Sequence, residues 1–217
     1  REVTVTVAGQ TVRTAANTGG FWKLRLAPMP AGGPYSMVVT GAMRRTLTNV
    51  LVGDVWLCSG QSNMGLSVSE ALNANREIAD SINYTRVRLF KVMPFKGSPK
   101  PAQIFHTDTR WLVSNPANTP KFSAACYFFG RKLYNSREVP QGLIQASYGG
   151  SRIEDWMSAA SLAKDPDFAA SVADIANGRY PQNAFYPTSL FNGMISPLLP
   201  YPLRGIVWYQ GEGNVGL

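Results

Sequence analysis

A single histidine, His106, stands among the 217 residues, alongside only two cysteines, Cys58 and Cys126. So few imidazoles and thiols match no zinc or haem ligand spacing, and no metal or organic cofactor is expected. No stretch approaches the ~18 consecutive apolar residues that a membrane-crossing helix needs, so no membrane partner is expected. The opening Arg1-Glu2-Val3-Thr4 has neither the charged head nor the apolar centre of a secretion signal; it falls in the middle of a strand pattern, as a trimmed sequence would. Gly-X-Gly-X-X-Gly and Gly-X-X-X-X-Gly-Lys are both missing, which removes the usual phosphate-cradling loops. The two cysteines lie in apolar surroundings and read as buried thiols rather than a bridge or a ligand set, with a disulfide left open.

Acidic residues are also scarce, 13 against 21 lysines and arginines, for a net charge of +8. The basic residues are scattered rather than gathered with aromatics, so they read as a solvated surface and not a nucleic-acid footprint. The sign is compatible with acidic glycans without selecting them. At 45% hydrophobic, the chain can bury a sizeable core.

From residue 3 to about 51, period-two alternation broken by turn residues predicts a small antiparallel β unit, with strands near 3–7, 11–15, 21–26 and 35–40. This is the expected accessory domain, residues 1–50, resembling part of a sandwich. Beyond Val52-Gly53-Asp54 apolar strands alternate with helical segments, which predicts an α/β domain with a parallel sheet over 51–217. Strands are expected at 55–58, 87–92, 142–146 and 205–209. Helices are expected near 67–80, 122–137, 159–164 and 190–195, and 94–120 reads as a long surface excursion.

Ligands of such sheets bind outside the carboxyl ends of the strands. Gly60-Gln61-Ser62-Asn63-Met64 follows the first strand, Ser147-Tyr148-Gly149-Gly150-Ser151 the third, and Gln210-Gly211-Glu212-Gly213-Asn214 the fourth. Three polar, glycine-bearing loops should therefore converge on one edge. A serine at a strand-to-helix turn is in a nucleophile's position, although serine is also an ordinary helix N-cap. The spacing is Gly-X-Ser-X-X-Gly, so the Gly-X-Ser-X-Gly elbow of the α/β-hydrolases is not met. Ser62 supplies the candidate hydroxyl. Its own N–H, that of Gly149 or Gly150, and the carboxamide of Gln210 or Asn214 supply candidate oxyanion donors.

Residues 52–64 (VGDVWLCSGQSNM), 139–144 (VPQGLI) with 149–156 (GGSRIEDW), and 190–195 (LFNGMI) with 205–214 together resemble the sialate O-acetylesterase family, a branch of the SGNH-type carbohydrate esterases. The resemblance implies a three-layer SGNH-like domain and carbohydrate O-acetylesterase activity through an acetyl-Ser62 intermediate, on an acetylated sugar or glycan. It implies an oxyanion hole at Gly149 and Gly150, Gln210 lining the site, and Glu212 orienting the base. It also implies a secreted or periplasmic protein, lysosomal in a eukaryote. Gln61, Arg152, Asp155 and Trp156 are the expected substrate contacts. For Trp156, stacking on a pyranose and packing in the core stand as equal readings, as do sugar binding by Arg152 and a brace to Glu154 or Asp155.

Gly213 departs from the family's usual serine, and the missing hydroxyl is expected to loosen its loop. The family's last block, with its Asp and catalytic His, has no counterpart before Leu217. The base and the last strand are therefore expected from a second chain or a further portion of a longer one. A five-strand sheet ordered 2-1-3-4-5 would leave 205–209 at an open apolar edge. His106 reads as a surface or loop-packing histidine rather than the base. A glycan-binding protein that keeps the scaffold without the chemistry is the competing reading.

Overall fold

The computed structural model describes residues 1–93, 98–105, 109–181, 185–199 and 201–215, so His106 lies outside the described residues. The chain divides into two compact units, Arg1–Gly53 and Asp54–Leu217.

In the first unit, β1 (Glu2–Val7), β2 (Gln10–Ala15), β3 (Gly32–Thr40) and β4 (Arg44–Val52) form an antiparallel sheet in the order β2-β1-β3-β4. Alternation decides which face is covered: Val3, Val5 and Val7 are buried while Thr4 and Thr6 point the other way. The strand expected at 21–26 is not one. That segment is held by side chains of β2 instead: Thr14 Oγ1 donates to the Lys23 carbonyl, and Gln10 exchanges two hydrogen bonds with the Ala27 backbone.

The second unit begins with β5 (Asp54–Gly60), which runs into the short α1 (Ser62–Gly65), then α2 (Ala74–Asp80) and β6 (Val87–Lys91). After β7 (Leu112–Val113) come α3 (Ala124–Arg137), β8 (Gln141–Ser147), α4 (Ala159–Leu162), α5 (Pro166–Ala176) and β9 (Gly205–Tyr209). The sheet order is β7-β6-β8-β5-β9, with β7 antiparallel to β6 and the other pairings parallel. The expected order, which seated the first α/β strand between the second and third, is therefore corrected: β8 enters between β6 and β5. The expectation of an edge position for 205–209 agrees with the sheet order, and Ile206 there is 63% exposed.

Successive residues of each inner strand feed opposite faces. Cys58, Leu89 and Leu143 join Tyr127, Met64 and Val68 in one core, while Leu57, Phe90 and Ile144 join Trp156, Leu190 and Met194 in the other. Helix α3 covers the first face and segments 153–156 and 190–198 the second, which makes three layers. Each fully buried leucine contributes about 1.5–3 kcal/mol by leaving water.

Cys58 and Cys126 form a disulfide between β5 and α3, with Cα atoms 5.8 Å apart. This corrects the buried-thiol reading: the strand position and the first turn of α3 face each other across the first core, within bridging distance. The excursion is partly built in as well. Ser98, Ser114 and Thr119 are buried, and Asn192 Nδ2 donates to the Ser98 carbonyl. Helix α5 was not expected, although Asp165-Pro166-Asp167 carries its signal: Asp165 caps the Asp167 amide and Pro166 sits in the first turn.

Candidate active site

The corrected strand order tightens the convergence of the three loops. Strand β5 is flanked by β8 and β9, with Gly60 in register with Ser147 on one side and Tyr209 on the other. The three loops leave adjacent parallel strands at the same level, while β6, the strand before the excursion, is one place removed. Gly60 has φ +138°, and a Cβ there would overlap the Tyr209 carbonyl, so only glycine lets the strands close at this point. Gln61 N–H donates to the Tyr209 carbonyl at 3.0 Å, and Tyr148 N–H donates to the Gly60 carbonyl at 3.0 Å.

Ser62 is the first residue of α1 and is exposed; the N-cap is Gln61, so the capping explanation for this serine does not apply. Gly149 faces it closely, since a Cβ on Gly149 would lie 3.6 Å from the Ser62 Cβ. Gly150 follows with φ +71°, a left-handed turn that glycine accepts without strain.

Around the serine the polar side chains are spent on one another. Gln61 is buried, and its Oε1 accepts from Gly211 N–H at 3.2 Å and Gly213 N–H at 3.0 Å. It is therefore a brace between the first and third loops, which corrects its reading as a substrate contact. Gln210 Nε2 donates to Asn214 Oδ1 at 2.6 Å and to the Ser151 carbonyl at 3.3 Å. Asn214 Nδ2 donates to Glu154 Oε2 at 3.0 Å, and its Oδ1 also accepts from Ile153 N–H. Both carboxamides that were expected as oxyanion donors thus knit the second loop to the third. The candidate donors that remain are backbone amides at Ser62, Gly149 and Gly150. Glu212 accepts from Asn63 Nδ2 at the exposed rim.

The loop expected to be loosened at Gly213 is instead pressed close. A Cβ at that position would overlap the Ser151 carbonyl, so the glycine is what allows the third loop to rest on the second.

The second loop folds into a short 3-10 turn, Ile153–Trp156, in which Asp155 Oδ2 accepts from the Arg152 amide at 2.9 Å. Trp156 is core. It is 6% exposed, its Nε1 donates to Ser151 Oγ at 2.9 Å, and its ring meets Trp208 edge-on, so of its two readings the geometry fits packing and not a sugar platform. Arg152 is exposed, 3.9 Å from Glu154 Oε1, which leaves its guanidinium only weakly committed to the brace. Burial pushes the Asp155 carboxyl up to about 6, against the opposing pull of the Arg152 amide; the neighbouring Glu154 adds to the rise.

A cavity of about 450 Å³ begins at Gly150 and runs between this loop and α5; its walls include Arg152, Glu154, Asp155, Asp167, Phe168 and Tyr186. Glu154 was read from sequence only as a brace for Arg152, Phe168 and Tyr186 were not singled out, and the missed α5 cap at Asp165 was the one signal that could have placed a wall there. Among the described residues no cluster of His, Cys, Asp and Glu could hold a metal ion.

A sheet that is parallel except at β7 and covered on both faces, an exposed serine at its carboxyl edge and a glycine pair beside that serine define a three-layer α/β protein with a candidate serine site. A family profile described as "Carbohydrate esterase, sialic acid-specific acetylesterase" matches residues 52–216, and the chain belongs to this family. It is 36% identical over 208 residues to the human sialate O-acetylesterase, covering 89% of this chain and 38% of the relative. The mouse sialate O-acetylesterase is 34% identical over 241 residues, covering 94% and 43%. The crystal structure of a carbohydrate acetylesterase from Xanthomonas citri superposes with a TM-score of 0.84 at 38% identity, covering 98% of this chain and 45% of that one. The chain thus spans less than half the length of these relatives.

Proposed function

We propose that this chain supplies the nucleophile and oxyanion hole of a serine carbohydrate O-acetylesterase, similar to sialate O-acetylesterases, which removes acetyl groups from sugar hydroxyls. Ser62 Oγ attacks the acetyl carbonyl and its proton passes to a base. The tetrahedral oxyanion is held by backbone N–H groups of Ser62 and of Gly149 or Gly150. The sugar alkoxide takes a proton as it leaves, and water then releases acetate from acetyl-Ser62. The base is supplied by a second chain or a further portion of the protein, and Glu212, which accepts from Asn63 at the rim, orients it. The observation that carries this reading is the exposed Ser62 hydroxyl at the end of β5, with Gly149 against its Cβ.

Without a base, oxyanion donors and binding alone sustain only about 10³ to 10⁴-fold catalysis over water in the well-studied serine-protease case. The Cys58–Cys126 disulfide supports an oxidising compartment, secreted, periplasmic or lysosomal.

The test is phosphonate trapping followed by peptide mass analysis, together with an aryl-acetate burst assay on the complete assembly. We expect a phosphonyl adduct on Ser62, acetate release, and loss of both in Ser62→Ala. A complete assembly that neither labels at Ser62 nor releases acetate would make the protein a noncatalytic glycan binder.

A further inference from the structure

The cavity beside the nucleophile has a charge that runs against the rest of the molecule. The chain carries a net +8, yet the cavity wall holds three carboxylates, Glu154, Asp155 and Asp167, against one guanidinium, Arg152. A carboxylate-bearing sugar would meet more repulsion than attraction there. Phe168 of α5 and Phe185 give the wall two aromatic side chains, and sugar rings pack their C–H faces against such surfaces.

One group in the wall has no structural explanation. Tyr186 is 4% exposed, and its hydroxyl is buried with no hydrogen-bond partner among the described residues. Its ring packs on Tyr180, with centroids 5.0 Å apart, a contact that phenylalanine would make equally well. A buried hydroxyl left unpaired is destabilising, so its presence in the wall of a cavity points to a ligand that pairs with it.

We infer that the cavity between the 150–155 loop and α5 is a binding subsite for an uncharged pyranose ring, anchored by Asp155 and the Tyr186 hydroxyl against Phe168 and Phe185. Asp155 accepts from a sugar hydroxyl while its Oδ2 stays on the Arg152 amide. The Tyr186 hydroxyl, which has almost no accessible surface, meets a neighbouring sugar oxygen once the ligand displaces the wall that covers it. Arg152 donates to a ring or hydroxyl oxygen from the open side. The cavity starts at Gly150, next to the glycine that faces Ser62, so this ring is the sugar attached to, or adjacent to, the acetylated one. The inference rests on the esterase reading for that last placement only; the subsite itself stands on the cavity.

The test is a titration of the whole protein at pH 8, followed by NMR, with methyl glycosides of glucose, galactose, mannose and xylose, and with methyl glucuronide as the charged match of the glucoside. At least one neutral glycoside should bind, and the glucuronide should bind at least about tenfold more weakly than the glucoside. Tyr186→Phe should weaken the neutral ligand by about three- to tenfold while its thermal midpoint stays level or rises, because the lost hydroxyl has no protein partner. Glucuronide binding as tight as glucoside, no neutral glycoside bound at 50-fold the protein concentration (roughly, a probe of millimolar affinity), or unchanged affinity in Tyr186→Phe would each overturn the inference. Phosphonate labelling of Ser62 in the wild-type protein is read separately. Sugar binding without labelling removes the esterase reading and keeps the subsite, and labelling without sugar binding does the reverse.

Discussion

At the residue scale, side chains that pattern alone assigns to substrate or to the oxyanion turn out to tie the loops to one another. Gln61 gives its oxygen to two amides of another loop, and Asn214 uses both ends of its carboxamide. Residue type and loop membership were readable for each, because polar residues beside glycine at strand ends mark a site. What the sequence does not carry is which polar group consumes which, since that depends on ångström-scale approach. Gly213 shows the difference. Gly213→Ser, which restores the family's usual residue, should lower rather than raise stability, by about 1–3 kcal/mol, because its Cβ must displace the Ser151 carbonyl; thermal unfolding of the two proteins measures this. Asp155 makes a second case. Its carboxyl pKa is raised from 3.8 to about 6 by burial, so the folded chain holds that proton more tightly than the unfolded one. Its contribution therefore makes stability fall as pH climbs through that window and stay lower above it. Asp155→Asn should be the more stable protein at pH 8, by about 1–3 kcal/mol, and lose that advantage near pH 4, as chemical denaturation at the two pH values would register.

Among the elements, the strands of the second unit announce themselves as short apolar runs, and 55–58, 87–92, 142–146 and 205–209 all fall on observed strands. Their lateral order does not follow from the runs, because a period of two fixes which faces are apolar and not which neighbour pairs. The insertion of β8 between β6 and β5 is a fact of crossover geometry. The disulfide was hidden for the same reason: Cys58 and Cys126 are 68 positions apart, and only the docking of α3 on β5 brings them together. Closing a loop of that length restricts the unfolded chain by about 4 kcal/mol in the entropic account. The double variant Cys58→Ala/Cys126→Ala should lose about 2–4 kcal/mol in denaturant titration and match the reduced wild type. An unchanged midpoint would mean that the bridge adds nothing to the packing. The strand end at Gly60 is less forgiving. Gly60→Ala, meeting the Tyr209 carbonyl at a positive φ, should cost upward of about 3 kcal/mol and appear as loss of folded protein on expression.

For the molecule as a whole, the sheet ends in a strand whose outer flank is open among the described residues. Ile206, Trp208 and Tyr209 on β9 are all exposed. Apolar side chains beside unpaired backbone groups favour edge-to-edge association. Sedimentation should show this chain self-associating as its concentration rises, and Ile206→Lys should reduce that without shifting the unfolding midpoint by more than about 0.5 kcal/mol. Strand β9 also decides when the site exists. The residue next to Ser62 is fastened to Tyr209, Gly211 and Gly213, some 150 positions downstream at Gly211. During synthesis the serine leaves the ribosome long before its supports do. A nascent chain therefore presents Ser62 before any of these supports exist, and the three loops gather around the serine only once β9 and the loop after it have been made.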